Sequence, residues 1–375
     1  MPRIKELFVT LIIVIIASGL YAQEDLFFSS SPAPIAPYSK QCLYFSFDNL
    51  NFLKNNEYFN PVDEGITYIG SSFNPHFDLL LNNRLSVSAG WFGILYSGRS
   101  KISNSIPYYN VTWNLYNGWK LRMGHIDGFN AHRLPEPIFS ADRRYENSPE
   151  TGLQVTADRK HHSSDIWLNW EKFILPGDNF KEEFVMGGRS FIFINPSGSR
   201  KNVALSLNGI AAHKGGQVGS AGEHLSTLMN SAVGIIAFIK PNESTDDSIG
   251  IRNDFCGYRD ASPFKQQLYS AGWGNYSTIF GKYHGFYFEA GYWYGRHFIA
   301  PRGQWLFQSV SKLYTVYWEP VNNIVTTKVG WTYKPDKQFK AGIGGGLYYD
   351  TELKNIDFYY QFHLSLNLSY LIKEF

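Results

Sequence analysis

From Phe358 onward, apolar side chains recur at every second position: Phe358, Tyr360, Phe362, Leu364, Leu366, Leu368, Tyr370 and Ile372. Tyr359, Gln361, His363, Ser365, Asn367, Ser369 and Lys373 alternate with them, Leu371 breaks the pattern, and the chain ends on Phe375. A period of two gives one strand an apolar face and a polar face. Strands of globular proteins run to ~5–6 residues, whereas one that crosses a bilayer needs ~9–11. This length and alternation predict a membrane-crossing strand with lipid on one side and water on the other.

The same rhythm runs through the chain. Phe73, Pro75, Phe77, Leu79 and Leu81 share one face, and Leu85, Val87, Ala89 and Trp91 another. Tyr109, Val111, Trp113 and Leu115 lead into Asn117-Gly118, a strong hairpin signal, and the chain returns through Trp119, Leu121 and Met123. Later runs around Val203, Phe286 and Phe339 repeat the pattern. Pro75 predicts a bulge or bend, since proline cannot donate to a ladder. Gly342, Gly344, Gly345 and Gly346 sit within a strand pattern and are expected to relieve crowding or curve the sheet.

Short and long connections alternate along the chain, as an up-and-down barrel with both ends on one side requires. A first count of strands comes out odd. It becomes even when Trp305 to Trp318 is assigned to a long outer connection, as a protruding hairpin, and not to the wall. The expectation is an all-β, antiparallel transmembrane barrel of about sixteen strands, with fourteen and eighteen as the neighbouring even counts.

The N-terminus sets the compartment. Arg3 and Lys5 precede an apolar run from Leu7 to Leu20, too short to span a bilayer and arranged like a cleaved secretory signal. Residues 1–22 are read as that signal, 23–40 as a proline-containing periplasmic lead-in, and 41–375 as one barrel domain. Aromatic residues form 17% of the chain, which fits girdles at two bilayer interfaces. The formal charge of +2 argues against nucleic acid as a partner. Cys42 and Cys256 make no disulfide framework, and the sequence leaves both paired and free states open.

On the signal, the strand rhythm, the alternating turns and the aromatic C-terminus, the chain resembles the Gram-negative outer-membrane porins and porin-like barrels. The resemblance is architectural and carries no motif that names a substrate. It implies integral residence in the outer membrane, among lipid, and insertion by the barrel-assembly machinery, with Leu366, Leu368, Tyr370 and Phe375 as the assembly signal. It also implies that the third outer loop, Gly128 to Glu150, folds inward. Its charges, His132, Arg133, Glu136, Asp142, Arg143, Arg144 and Glu146, are the expected constriction, with arginines facing carboxylates across a passage for small polar solutes. Asn110, Thr112, Asn114, Lys120, Arg122, Asn169, Glu171 and Glu289 fall opposite the apolar positions of their strands and are expected to face the lumen.

This reading describes a passive channel, not an enzyme, with no cofactor and no metal. Two alternatives stand beside it. One is a non-conducting barrel, homo-oligomeric or docked to a lipoprotein partner through connections such as Lys214 to Glu223 and Pro301 to Asn322. The other is an outer-membrane lipid hydrolase, whose nearest candidate cluster is His161-His162-Ser163-Ser164-Asp165. Turn parity puts that cluster at the periplasmic end, where it reads as a polar turn.

Overall fold

A computed structural model describes residues 41–147, 149–216, 224–243 and 247–375. The expected signal and lead-in, and Gln217 to Glu223 of one long connection, lie outside them. Sixteen strands follow one another: β1 (Cys42–Glu57), β2 (Thr67–Leu80), β3 (Leu85–Tyr96), β4 (Ser103–Asn114), β5 (Trp119–His125), β6 (Thr151–Arg159), β7 (His162–Lys172), β8 (Glu183–Phe193), β9 (Lys201–Lys214), β10 (Ser226–Ile239), β11 (Ser248–Asp260), β12 (Ala271–Tyr283), β13 (Phe286–Arg296), β14 (Val321–Tyr333), β15 (Phe339–Asp350) and β16 (Asn355–Glu374). Each pairs antiparallel with its sequence neighbours, and β1 pairs with β16 to close the barrel. Among the described residues no helix is long and apolar enough to cross a membrane.

The alternation read from the sequence sorts the side chains. On β16, Ile356, Tyr360 and Phe362 are exposed on the outer face, while Asp357, Tyr359, Gln361 and His363 are buried inside. The outer face carries exposed Met123, Ile166, Met186, Ile235 and Ile251, an apolar belt that only hydrocarbon can cover without cost. Near the turns, Trp113, Trp119, Phe286, Trp331 and Tyr333 add an exposed aromatic girdle.

Three local signals resolve in the ladders. At Asn117 and Gly118 φ is +64° and +80°, the left-handed pair that an Asn-Gly hairpin turn needs. Around Pro75 the β2–β3 ladder skips from Phe73↔Gly93 to His76↔Gly90 without a register change, so the proline leaves a gap rather than a bulge. Leu371, the break in the terminal alternation, sits at a real bulge: Tyr44 pairs with Leu371 but Leu43 with Lys373.

Two sequence assignments shift. The turn read as His161 to Ser164 shrinks to Lys160 and His161, and His162 to Ser164 belong to β7. The Trp305 to Trp318 stretch lies outside the wall, as expected, and its second half is exposed, with Val310 bridged antiparallel to Trp318, but its first half turns inward. Phe298, Leu306 and Phe307 of its connection are buried inside the barrel beside Trp293, Ile324 and Tyr348 of the wall. Leu134, Ile138 and Phe139 of the 126–150 loop join the same cluster. A barrel this wide leaves an interior that side chains alone do not fill, and two inward connections fill its long-loop end. Small residues on adjacent strands admit the large ones: a Cβ at Gly187 would meet the Trp167 ring, and one at Gly274 the Trp293 ring. Cys42 and Cys256 are both buried and free.

Candidate functional site

The inward loop is held by paired charges. It carries a short 3-10 turn (Phe129–His132) and a one-turn helix, α1 (Arg143–Glu146), too short to hold itself. His132 is fully buried, its ring stacked on Trp167 at 3.5 Å and 9°. Its Nδ1 lies 2.7 Å from Asp165 and its Nε2 2.6 Å from Glu150. Carboxylates only accept, so both ring nitrogens must donate, and only the imidazolium can do that. Burial disfavours the charge, but Glu150 and Asp165 outweigh it and push the His132 pKa up to about 9.

Elsewhere the loop is tied to the opposite wall. Glu136 accepts from Lys328 Nζ and from Tyr348 Oη, each at 2.6 Å. Asp142 accepts from Lys54 at 2.5 Å and from Asn56 at 3.0 Å. Tyr68 donates to Glu146, and Tyr145 Oη meets His363 Nε2. Arg143 and Arg302 hold the two oxygens of Glu171, which joins both inward connections to β7. Ser140 N also donates to Arg302 O at 2.7 Å.

This pairing departs from the expected opposition of arginines and carboxylates across a gap. Glu136, Asp142, Arg143 and Glu146 each bind groups of the wall. Arg144 points into a polar cavity of about 330 Å³ with Asp48, His76, Asp78, Asn110 and Arg122, and Arg133 borders a separate chamber at the short-turn end. Asn110, Thr112, Lys120, Arg122, Asn169, Glu171 and Glu289 stand on the inward face of their strands, with Asn114 exposed at the rim. Several bond within the wall: Thr112 donates to Asn110 Oδ1 at 2.7 Å, and Asn169 Oδ1 accepts from Thr151 N at 2.9 Å. Leu366, Leu368, Tyr370 and Phe375 lie along the β16 seam. Among the described residues no group of three or more His, Cys, Asp or Glu is arranged to hold a metal ion.

A second site emerges on the opposite surface. Ile166 and Ile192 are exposed to the lipid side, and strand parity puts His162, Ser164 and Ser190 on that face with them. Ser164 Oγ lies 2.6 Å from His162 Nε2; Ser190 Oγ lies 3.1 Å from that nitrogen and 3.0 Å from Ser164 Oγ. His162 and Ser164 are the first and third residues of β7, so the pair lies near the short-turn end of the wall, the end at which Trp119 begins β5. Girdles mark the headgroup level of a membrane, which is where acyl ester bonds lie. Ser163 faces inward instead, donating to Asp158 at 2.7 Å and accepting from Arg189. The sequence contains the His162 and Ser164 spacing but gives no sign of Ser190, which arrives through the β7–β8 register.

A model of the lipid A 3'-O-deacylase-type family matches residues 35–375. The chain belongs to that family. This deacylase-type membership overturns the expectation that the protein is not an enzyme, because the family is named for an enzyme. No curated protein matches the chain. Among solved structures, outer-membrane expressed OmpT of Vibrio cholerae is similar at 11% identity and TM-score 0.50, covering 89% of this chain and 100% of that one. OprD of Pseudomonas aeruginosa is similar at 13% identity and TM-score 0.48, covering 92% and 99%. OccK8 (OprE) of the same organism gives 12%, 0.45, 88% and 98%. The likeness to OmpT is one of fold: this deacylase-type protein is an integral outer-membrane barrel with porin-like architecture.

Proposed function

We propose that this protein hydrolyses an acyl ester of a membrane lipid at its outer wall, with Ser164 as nucleophile and His162 as base. The observation that carries the reading is a serine hydroxyl 2.6 Å from an imidazole nitrogen, on the outward parity of the wall though buried among its neighbours, in a chain of a deacylase-type family. Ser164 Oγ attacks the ester carbonyl while its proton passes to His162 Nε2. Collapse expels the alcohol, which takes that proton, and leaves an acyl-serine. Water, deprotonated by His162, then releases the fatty acid and restores the serine. Ser190 Oγ lies 3.1 Å from the same nitrogen and accepts from Ser164 Oγ at 3.0 Å, a second polar partner beside the nucleophile. Short turns face the periplasm in bacterial barrels, so a lipid of the inner leaflet is the substrate that the position favours.

The test is fatty-acid release by the purified protein from phosphatidylethanolamine vesicles and, separately, from lipid A. Ser164→Ala is expected to reduce release to background, and His162→Gln to reduce it by about 10²–10⁴-fold, the usual contribution of general base catalysis. Ser163→Ala, on the inward face, should leave it unchanged. A Ser164→Ala protein as active as the native one would remove the wall pair from the chemistry. Release from lipid A alone would overturn the inner-leaflet assignment.

A second reading, passage of small polar solutes narrowed by the Gly128 to Glu150 loop, is favoured by the polar cavity that Arg144 and Arg122 share with Asp48 and Asp78. In planar bilayers, Arg143→Ala with Arg144→Ala is then expected to shift selectivity toward cations. An unchanged reversal potential, or no open-channel steps at any voltage, would set that reading aside.

A further inference from the structure

Beneath the two inward connections, at the short-turn end, the barrel retains a chamber of about 1300 Å³. Asn117, Lys160, Ser197 and Lys240, all from short turns, edge it, so it opens toward the periplasm under the usual barrel orientation. Its walls are unlike a water-filled vestibule. Phe191 and Phe193 of β8, Phe238 of β10 and Phe280 of β12 line it, together with Ile236 of β10. Its charge is one-sided as well: among the described lining residues Arg133, Arg159, Lys160, Lys240, Arg252 and Lys282 are cations, and Asp158 is the one acid. Arg252 is paired with Asp254, Asp158 accepts from Ser163, and Lys160 and Lys240 stand at the mouth.

Apolar walls with a few charges of one sign are the makings of a small-molecule site. A ring of cations above low-dielectric aromatic walls concentrates anions, and the phenylalanines reward an apolar body that inorganic anions lack. A solvated rim of lysines would account for the charge but not for four inward phenylalanines behind it. We infer that this chamber binds an organic anion, a carboxylate, sulfonate or phosphate headgroup on an aromatic or aliphatic body, entering from the short-turn end. The chamber adjoins the wall pair at one residue, His162, which borders it, whereas Ser164 lies outside its lining.

The probe is naphthalene-2-sulfonate, with neutral 2-naphthol and inorganic sulfate as its two halves, measured by titration calorimetry on the full chain in nonionic detergent. The sulfonate is expected to bind one-to-one and about tenfold or more tighter than either half, with affinity falling as salt is added. Lys160→Gln with Lys240→Gln should weaken it by about tenfold while sparing naphthol. Equal affinity for sulfate and sulfonate would reduce the site to a rim of charge, and equal affinity for naphthol would reduce it to a greasy pocket. Either result overturns the inference, as does native affinity in the lysine double variant. Should that variant fail to fold, the comparison of the three probes on the native protein decides.

Discussion

Replacing His132 with alanine is expected to destabilise the packed interior by about 3–5 kcal/mol, the cost of stranding buried charge without its partner. Glu150 and Asp165 are each 2% exposed and currently share one imidazolium. Without it, two carboxylates face each other in a dry site, and Trp167 loses the ring stacked on it. The loop from residue 126 to 150 should then leave the lumen, which limited proteolysis of the folded barrel would detect as new cleavage between those residues. Thermal unfolding followed by near-ultraviolet circular dichroism should report the lower stability. A His132→Ala barrel with native protease resistance and native melting would show that the ion triad does not hold the loop. Acidity offers an independent check. The His132 pKa rises from 6.5 to about 9 on folding, so its contribution is complete below about 6.5 and is lost as pH rises through about 9. The native protein should therefore lose loop protection in that window, and the alanine variant should show no such step.

Glu171→Gln should produce the second large effect, about 2–4 kcal/mol, somewhat below a fully buried pair because its partners keep some water. The Arg143 and Arg302 side chains are 13% and 19% exposed and share this one carboxylate. Neutralising it leaves two guanidinium groups side by side, so both inward connections should loosen together. Cleavage should appear in 297–320 as well as in 126–150. Adding Arg302→Gln removes one of the stranded charges, so the double variant is expected to be less destabilised than the sum of the single changes. Simple additivity would mean that the three groups act separately and that Glu171 does not couple the two segments.

The wall was legible because water and hydrocarbon impose a strict period of two on every strand they bound, and the Asn117-Gly118 turn carries its own conformational signature. The interior was not. Phe298, Leu306 and Phe307 are apolar positions of a connection that reads equally well as a hairpin, and only the width of the closed barrel gives them a cavity to enter. The partners of Glu136, Asp142 and Arg143 come from β1, β7, β14 and β15, far away in sequence, so the loop's charge density was visible but its pairing was not. The wall pair shows how sharply boundaries matter. Reading His162 to Ser164 as a turn gave Ser163 and Ser164 no distinct sides, whereas a strand beginning at His162 sends one to water and the other to lipid. The resemblance to porins rested on architecture alone, and architecture is shared by channels and enzymes.

The bulge at Leu371 decides which way the chain's last ring emerges. Up to Tyr370, even-numbered residues of β16 look outward, and an unbroken count would turn Phe375 into the bore. The additional residue reverses the parity, so that Glu374 lies beside inward Cys42, Lys373 beside Leu43, and Phe375, still bonded to Gln41, comes out on the membrane side. A single-residue deletion at Ile372 would keep the composition of the terminus nearly intact and yet present its final aromatic to water.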